Sequence, residues 1–143
     1  DGAAAVVLMS AGRADRLGLR ATLRFAGYAV AALAPEDFGV GPARAIPRLL
    51  AQTGLGIEDV DLIEFNEAFA AQVLCSQREY PLPMERVNPC GGAIALGHPL
   101  GCTGARQTVT LAREMARRGV RYGMVTMCAA LGMAAAGLFE RVA

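Results

Sequence analysis

Five glycines surround the single histidine of this chain. Gly91, Gly92, Gly97, Gly101 and Gly104 flank His98 in the run Gly91-Gly92-Ala93-Ile94-Ala95-Leu96-Gly97-His98-Pro99-Leu100-Gly101-Cys102-Thr103-Gly104. Glycine lets a backbone take positive φ and approach a ligand closely. Imidazole titrates near neutrality, so the segment suits proton transfer or hydrogen-bond donation to an oxyanion. A histidine in an isolated Gly-His-Pro turn is a solvated surface residue. Here the apolar flanks and the helix that follows favour a buried site.

Three further positions could carry chemistry. Asn66 opens Asn66-Glu67-Ala68-Phe69-Ala70 directly after an apolar strand. It either holds a water or an amide, or it caps the next helix, and spacing alone favours the cap. Cys128 ends a strand before Ala129-Ala130-Leu131-Gly132. It is either a reactive thiol or, as is commoner, a small buried hydrophobe. Cys102 is its rival, because it precedes a helix N-terminus where the dipole favours thiolate. Cys75 and Cys90 read as structural. With one histidine and no Cys-x-x-Cys spacing, no metal site is expected.

These positions fall at strand ends or helix N-termini, where ligands gather in open α/β sheets. Ala3–Ser10 is an apolar run of strand length, and 11–17 is a short helix closed by Gly18. Residues 20–32 are extended, and 35–42 form a loop. Pro42 suits the first turn of a helix to Thr53, closed by Gly54. A strand over Leu62–Phe65 leads into a helix over 68–80, stopped by Pro81 and Pro83. Thr103 is placed to cap a helix to Arg118, with Gly119 at its end. Strands over 120–128 and 133–139 form a closing hairpin. The order βαβαβαββ predicts an α/β fold, a layered mixed five-stranded sheet with helices on both faces.

Charge narrows the partners. All 14 basic residues are Arg, against 13 acidic ones, for a net charge of +1. No basic excess suggests nucleic acid. The compact run Arg113, Arg117, Arg118 and Arg121 lies at a helix end, where cations complement the dipole. No apolar stretch is long enough to span a membrane. The N-terminal segment has no basic lead and does not read as a signal peptide; it reads as a chain cut from something longer. Four cysteines without a disulfide framework suit a reducing compartment, so a cytoplasmic location is expected.

Taken together, four segments resemble the C-terminal part of a thiolase, close to the 3-ketoacyl-CoA thiolases. They are Asp1–Ala5, Asn66–Ala70, Gly91–Pro99 with Gly101–Arg106, and Cys128 with the Gly132–Glu140 strand. The resemblance covers nearly all of 1–143 and implies one thiolase C-terminal domain without the N-terminal half that carries the nucleophilic cysteine. It implies an acyltransferase that cleaves 3-ketoacyl-CoA with CoA, or runs the reverse Claisen condensation, as in fatty-acid degradation. His98 would activate the nucleophile and help bind the thioester oxyanion. Cys128 would be the acid/base. Asn66 would hold a water in the oxyanion hole. Ala68 and Phe69 would line the pantetheine channel. Coenzyme A would be a substrate, with no covalently bound cofactor. The partners implied are the N-terminal half and, for the complete enzyme, a homodimer or tetramer. The isolated chain would be inactive, poorly soluble and inclined to associate.

Ala130 departs from the family, which commonly has glycine there. It keeps the backbone N–H of a second oxyanion hole, but its methyl would crowd the site at positive φ. Ala134 also replaces a common glycine. These departures keep open a non-catalytic scaffold that pairs with a partner. A β-ketoacyl synthase relative would need a second histidine, which this chain lacks.

Overall fold

The computed structural model describes residues 1–142. A short helix α1 (Ala11–Arg16) precedes strand β1 (Leu23–Ala32), helix α2 (Pro42–Thr53) and strand β2 (Leu62–Phe65). Helix α3 (Ala70–Glu79), the single turn α4 (Ala93–Leu96) and the long α5 (Thr103–Arg118) follow. Strands β3 (Tyr122–Ala129) and β4 (Met133–Arg141) close the chain. The loop expected over 35–42 is partly a 3₁₀ turn, Pro35–Val40, because Pro35 fixes φ at its start.

The sheet is mixed, in the order β1-β4-β3-β2. β2 pairs parallel with β3, while β4 pairs antiparallel with β3 and β1. It has four strands among the described residues, not five, since 3–10 are exposed and form no ladder. An apolar run becomes a strand only when an edge accepts its N–H and C=O groups. In this chain nothing pairs with that run, and Ser10 serves instead as the N-cap of α1, its hydroxyl accepting from Arg13 N–H.

Strand alternation divides the core in two. Ile63, Phe65, Met124, Ala134, Ala136 and Leu138 pack against Ile46, Leu49 and Leu50 of α2. On the other side Leu62 and Val125 meet Leu111 and Met115 of α5. Helices thus lie on both faces, as expected. The buried stripe of α5 runs Thr103, Gln107, Leu111, Met115, one residue per turn. Its apolar end anchors the helix, and its polar end lies under the candidate site.

Arg117, Arg118 and Arg121 of the basic run at the end of α5 pair with carboxylates. Glu114 accepts from Arg117 at 2.7 Å and Arg118 at 3.0 Å, and these bonds hold its carboxyl down to about 2. Glu140 pairs with Arg24 and Arg121 across the edge of the sheet. Asp61 ties the start of β2 to β3 by accepting from the N–H groups of Arg121 and Tyr122.

The β3–β4 turn contains Leu131 at φ 62, followed by Gly132 at φ 79. Gly132 has no room for a Cβ, which would lie 2.2 Å from the Leu33 carbonyl oxygen. Leu131 has no such compensation, being 77% exposed in a conformation that costs an L-residue roughly 1 kcal/mol. Leu131→Gly is expected to stabilise the fold by up to ~1 kcal/mol in urea unfolding. A loss of stability would mean that the exposed leucine makes a favourable contact.

Candidate active site

β2 and β3 run parallel, and their carboxyl ends open on the same edge. Phe65 pairs with Thr126, so Asn66 leaves β2 level with Met127, one residue before Cys128, which is still paired with Ala134 of β4. The Asn66 N–H donates to the Thr126 carbonyl at 2.9 Å, which locks this arrangement. Asn66 is 1% exposed. It does not cap α3: the N-cap position belongs to Phe69, with no side-chain hydrogen bond. Spacing favoured the cap, but three residues of extended chain intervene and turn Asn66 inward.

The Asn66 amide instead meets His98. Its Nδ2 lies 3.4 Å from His98 Nε2, while His98 Nδ1 lies 2.7 Å from the Thr103 hydroxyl. That hydroxyl also donates to the Pro99 carbonyl at 3.1 Å. A hydroxyl has one proton; with it on Pro99, Thr103 accepts from Nδ1–H and leaves Nε2 as the basic nitrogen. Nε2 then accepts from the Asn66 amide. Thr103 was expected as a helix cap, but it is the first residue of α5, and Cys102 is the N-cap. The neighbouring imidazole takes the hydroxyl.

The backbone delivers His98 through α4. Gly97 leaves that turn at φ 90 and ψ 163, a conformation that requires glycine. His98 was expected to be buried, yet it is exposed. Its underside is bonded to Asn66 and Thr103, while its outer side is open among the described residues. Phe69 (64% exposed), Leu100 (85%), Ile94 and Leu96 are exposed apolar side chains, and Leu96 lines the cleft at His98. Ala68 is half-buried beside Phe69. A cleft of about 400 Å³ runs past His98, Pro99, Cys102 and Arg106, with Asp1, Gly2 and Ala3 along its wall.

Cys128 is half-buried, and burial pushes its thiol pKa up, so it is held as the protonated thiol. All four cysteines are free. Cys75 and Cys90, expected to be structural, are exposed, because Cys75 lies on the outer face of α3 and Cys90 on a turn. Ala130 is not among the residues with positive φ, so its methyl meets no backbone penalty. Ala134 is buried opposite Gly41, where a Cβ would lie 2.5 Å from the alanine methyl. Among the described residues no cluster of His, Cys, Asp and Glu could hold a metal.

Several residues escaped sequence reading. Glu67 accepts from the Ile94 N–H and from the Asn88 amide, each at 2.9 Å. Asn88 in turn bonds both the N–H and the carbonyl of Phe65. Glu64, in a four-residue strand buried on both faces, was a visible signal: a charge there needs a partner. Burial pushes its carboxyl up to about 7, against the lowering pull of Arg106. The Arg106 nitrogens, both Gln107 amide atoms and the Asn66 Oδ1 are buried without hydrogen-bond partners. A polar layer therefore underlies the site.

Asn66 and His98 thus meet at the carboxyl edge of an α/β sheet, and Cys128 lies near the end of the adjacent strand. Residues 19–141 match the family model described as "Thiolase, C-terminal domain". The chain belongs to the thiolase family. It is 54% identical over 141 residues to the peroxisomal 3-ketoacyl-CoA thiolase B of Rattus norvegicus, covering 98% of this chain and 33% of that one. It is 53% identical to the 3-ketoacyl-CoA thiolase of Bacillus subtilis, covering 98% and 36%. The crystal structure of the Bacillus anthracis acetyl-CoA acetyltransferase matches with a TM-score of 0.91 at 44% identity, covering 94% and 34%. Human mitochondrial 3-ketoacyl-CoA thiolase in complex with CoA matches at 0.90 and 38% identity, covering 93% and 34%. The chain spans about a third of the length of these relatives.

Glu64 generates a pH test. Its carboxyl ionises near 4.5 in an unfolded chain and near 7 in the fold, so the folded state binds more protons between those values. Its contribution is full below pH 4.5 and is lost as pH rises through 7. Glu64→Gln is expected to exceed the parent in stability at pH 8 by roughly 2 kcal/mol, with the gap closing towards pH 4. Urea unfolding across that range checks it; parallel pH profiles would refute the shift.

Proposed function

We propose that this chain is the C-terminal half of a complete thiolase, supplying His98, Cys128 and Asn66 to a site finished by a second α/β half with the nucleophilic cysteine. The observation that carries the reading is the Asn66–His98–Thr103 chain of hydrogen bonds at the carboxyl edge of the sheet. The apolar rim of Phe69, Ile94, Leu96 and Leu100 fits a surface that another body covers.

The substrate is a 3-ketoacyl-CoA. His98 Nε2 takes the proton of the nucleophilic thiol, and the thiolate adds to the 3-keto carbon. The C2–C3 bond then breaks, and its electron pair passes to the acetyl-CoA fragment as an enolate. His98, now a donor at Nε2, and a water held by the unpartnered Asn66 Oδ1 stabilise the enolate oxygen. The Cys128 thiol protonates C2, and its raised pKa keeps that proton available. CoA thiol then gives its proton to the Cys128 thiolate and attacks the acyl-enzyme; the nucleophilic thiolate is expelled and recovers its proton from His98, releasing an acyl-CoA shortened by two carbons. The backbone N–H of Ala130 serves the second oxyanion, and Ala68 and Phe69 line the path of the pantetheine. The complete enzyme works as a homodimer or tetramer.

The ordinary backbone at Ala130 and the facing Gly41–Ala134 pair favour a working site over a decayed scaffold. No helix among the described residues is long and apolar enough to cross a membrane. The names of the relatives include peroxisomal and mitochondrial enzymes, so family membership does not select the cytoplasm over an organelle.

In the full-length protein, His98→Ala and Cys128→Ala are each expected to lower turnover of a 3-ketoacyl-CoA by ~10²-fold or more, with the fold retained. Turnover within a few-fold of the parent for either variant would remove that residue from the proposed mechanism.

A further inference from the structure

We infer that Glu67 is a positioning residue for the catalytic pair, acting as a two-sided acceptor that sets the gap between Asn66 and His98. The inference rests on the thiolase reading above and adds a residue to it.

Both groups facing the Glu67 carboxyl are donors: the Ile94 N–H on Oε2 and the Asn88 Nδ2 on Oε1, each at 2.9 Å. The orientation of Asn88 is determined by its other bonds. Its Oδ1 accepts from Phe65 N–H at 2.8 Å, and its Nδ2 donates to the Phe65 carbonyl at 2.9 Å. A flipped amide would oppose all three partners. The Asn88 amide thus extends the ladder beside β2 that begins with its own N–H on the Ile63 carbonyl. To hold its side chain there, Asn88 adopts φ 46.

The two bonds of Glu67 join different segments. One reaches the turn beside β2, whose end carries Asn66. The other reaches the first turn of α4, which runs through Gly97 into His98. The packing is close enough that a Cβ on Gly92 would lie 2.4 Å from the Glu67 carboxyl carbon. Residues 66 and 98 are far apart in sequence, and Glu67 is the short rigid link between their supports. Only a group with two accepting oxygens satisfies both donors. Glutamine has the same shape but offers one acceptor and turns an N–H against the other donor. Isosteric replacement therefore separates charge and hydrogen-bond pattern from packing.

The test uses the full-length protein with Glu67→Gln, and Glu67→Asp as a second variant should the first fail to fold. Glu67→Gln is expected to lower kcat about 10-fold with KM within two-fold, because an interaction made in the transition state is weakened. In an Asn66→Ala background the same substitution is expected to cost less than two-fold, since the pair it positions is already broken. Equal fold-losses in both backgrounds, or an unchanged kcat, would overturn the inference. Crystal structures provide a readout independent of activity: the variant should lengthen the 3.4 Å Asn66–His98 separation. An unchanged separation would also overturn it. If His98→Ala retained turnover while Glu67→Gln still lengthened the gap, the catalytic reading would fall and the clamp would stand.

Discussion

A short circuit of hydrogen bonds at the carboxyl end of β2 is the constraint on which the rest of the molecule depends. Phe65 is held by the Asn88 side chain, Asn88 by Glu67, and Glu67 by the first turn of α4. The chain then passes through Gly97 to His98, whose ring returns to Asn66. No member is exchangeable for a group of similar size, because each is defined by which atoms donate and which accept. Its part-buried bonds, those of Asn88 to Phe65 and Glu67, favour one arrangement, since a wrong pairing would set donor against donor or acceptor against acceptor.

The two apolar cores make that circuit rigid. α2 clamps one face of the sheet, and the lower half of α5 clamps the other. α5 has two roles along one stripe. Leu111 and Met115 fasten it to β2 and β3, while four residues per repeat earlier Gln107 and Thr103 present polar groups towards the site. The hydroxyl that orients His98 is therefore fixed by packing more than one helical turn away. Beneath it, Glu64 and Arg106 sit where desolvation and opposite charge oppose one another, and desolvation prevails at Glu64.

The outer side of the site differs in character. Phe69, Ile94, Leu96 and Leu100 are exposed, Leu96 in the cleft beside a histidine bonded on its inner side to Asn66 and Thr103. A site built for enolate chemistry has to exclude water when it works. The inner wall is complete in this chain, and the proposed second half would form the outer one.

Local sequence carries much of this. The apolar periods of α2 and α5, the glycines that end them and the βαβ order were legible because each depends on neighbours a few residues away. The segments around Asn66, His98 and Cys128 stand out in the sequence because they fall at a strand end or ahead of a helix; the roles proposed for them rest on the resemblance. Tertiary structure decided the remainder. Residues 3–10 have the composition of a strand, but pairing requires an edge, and local sequence does not name one. Asn66 and Thr103 occupy positions where capping is common, yet Asn66 meets His98 from a distant segment and Thr103 bonds His98 and the Pro99 carbonyl just ahead of α5. Glu67 looked like any acidic residue near a helix start, until folding placed two donors against its two oxygens. A hydrogen bond between remote segments has no periodicity, so only the assembled sheet reveals it.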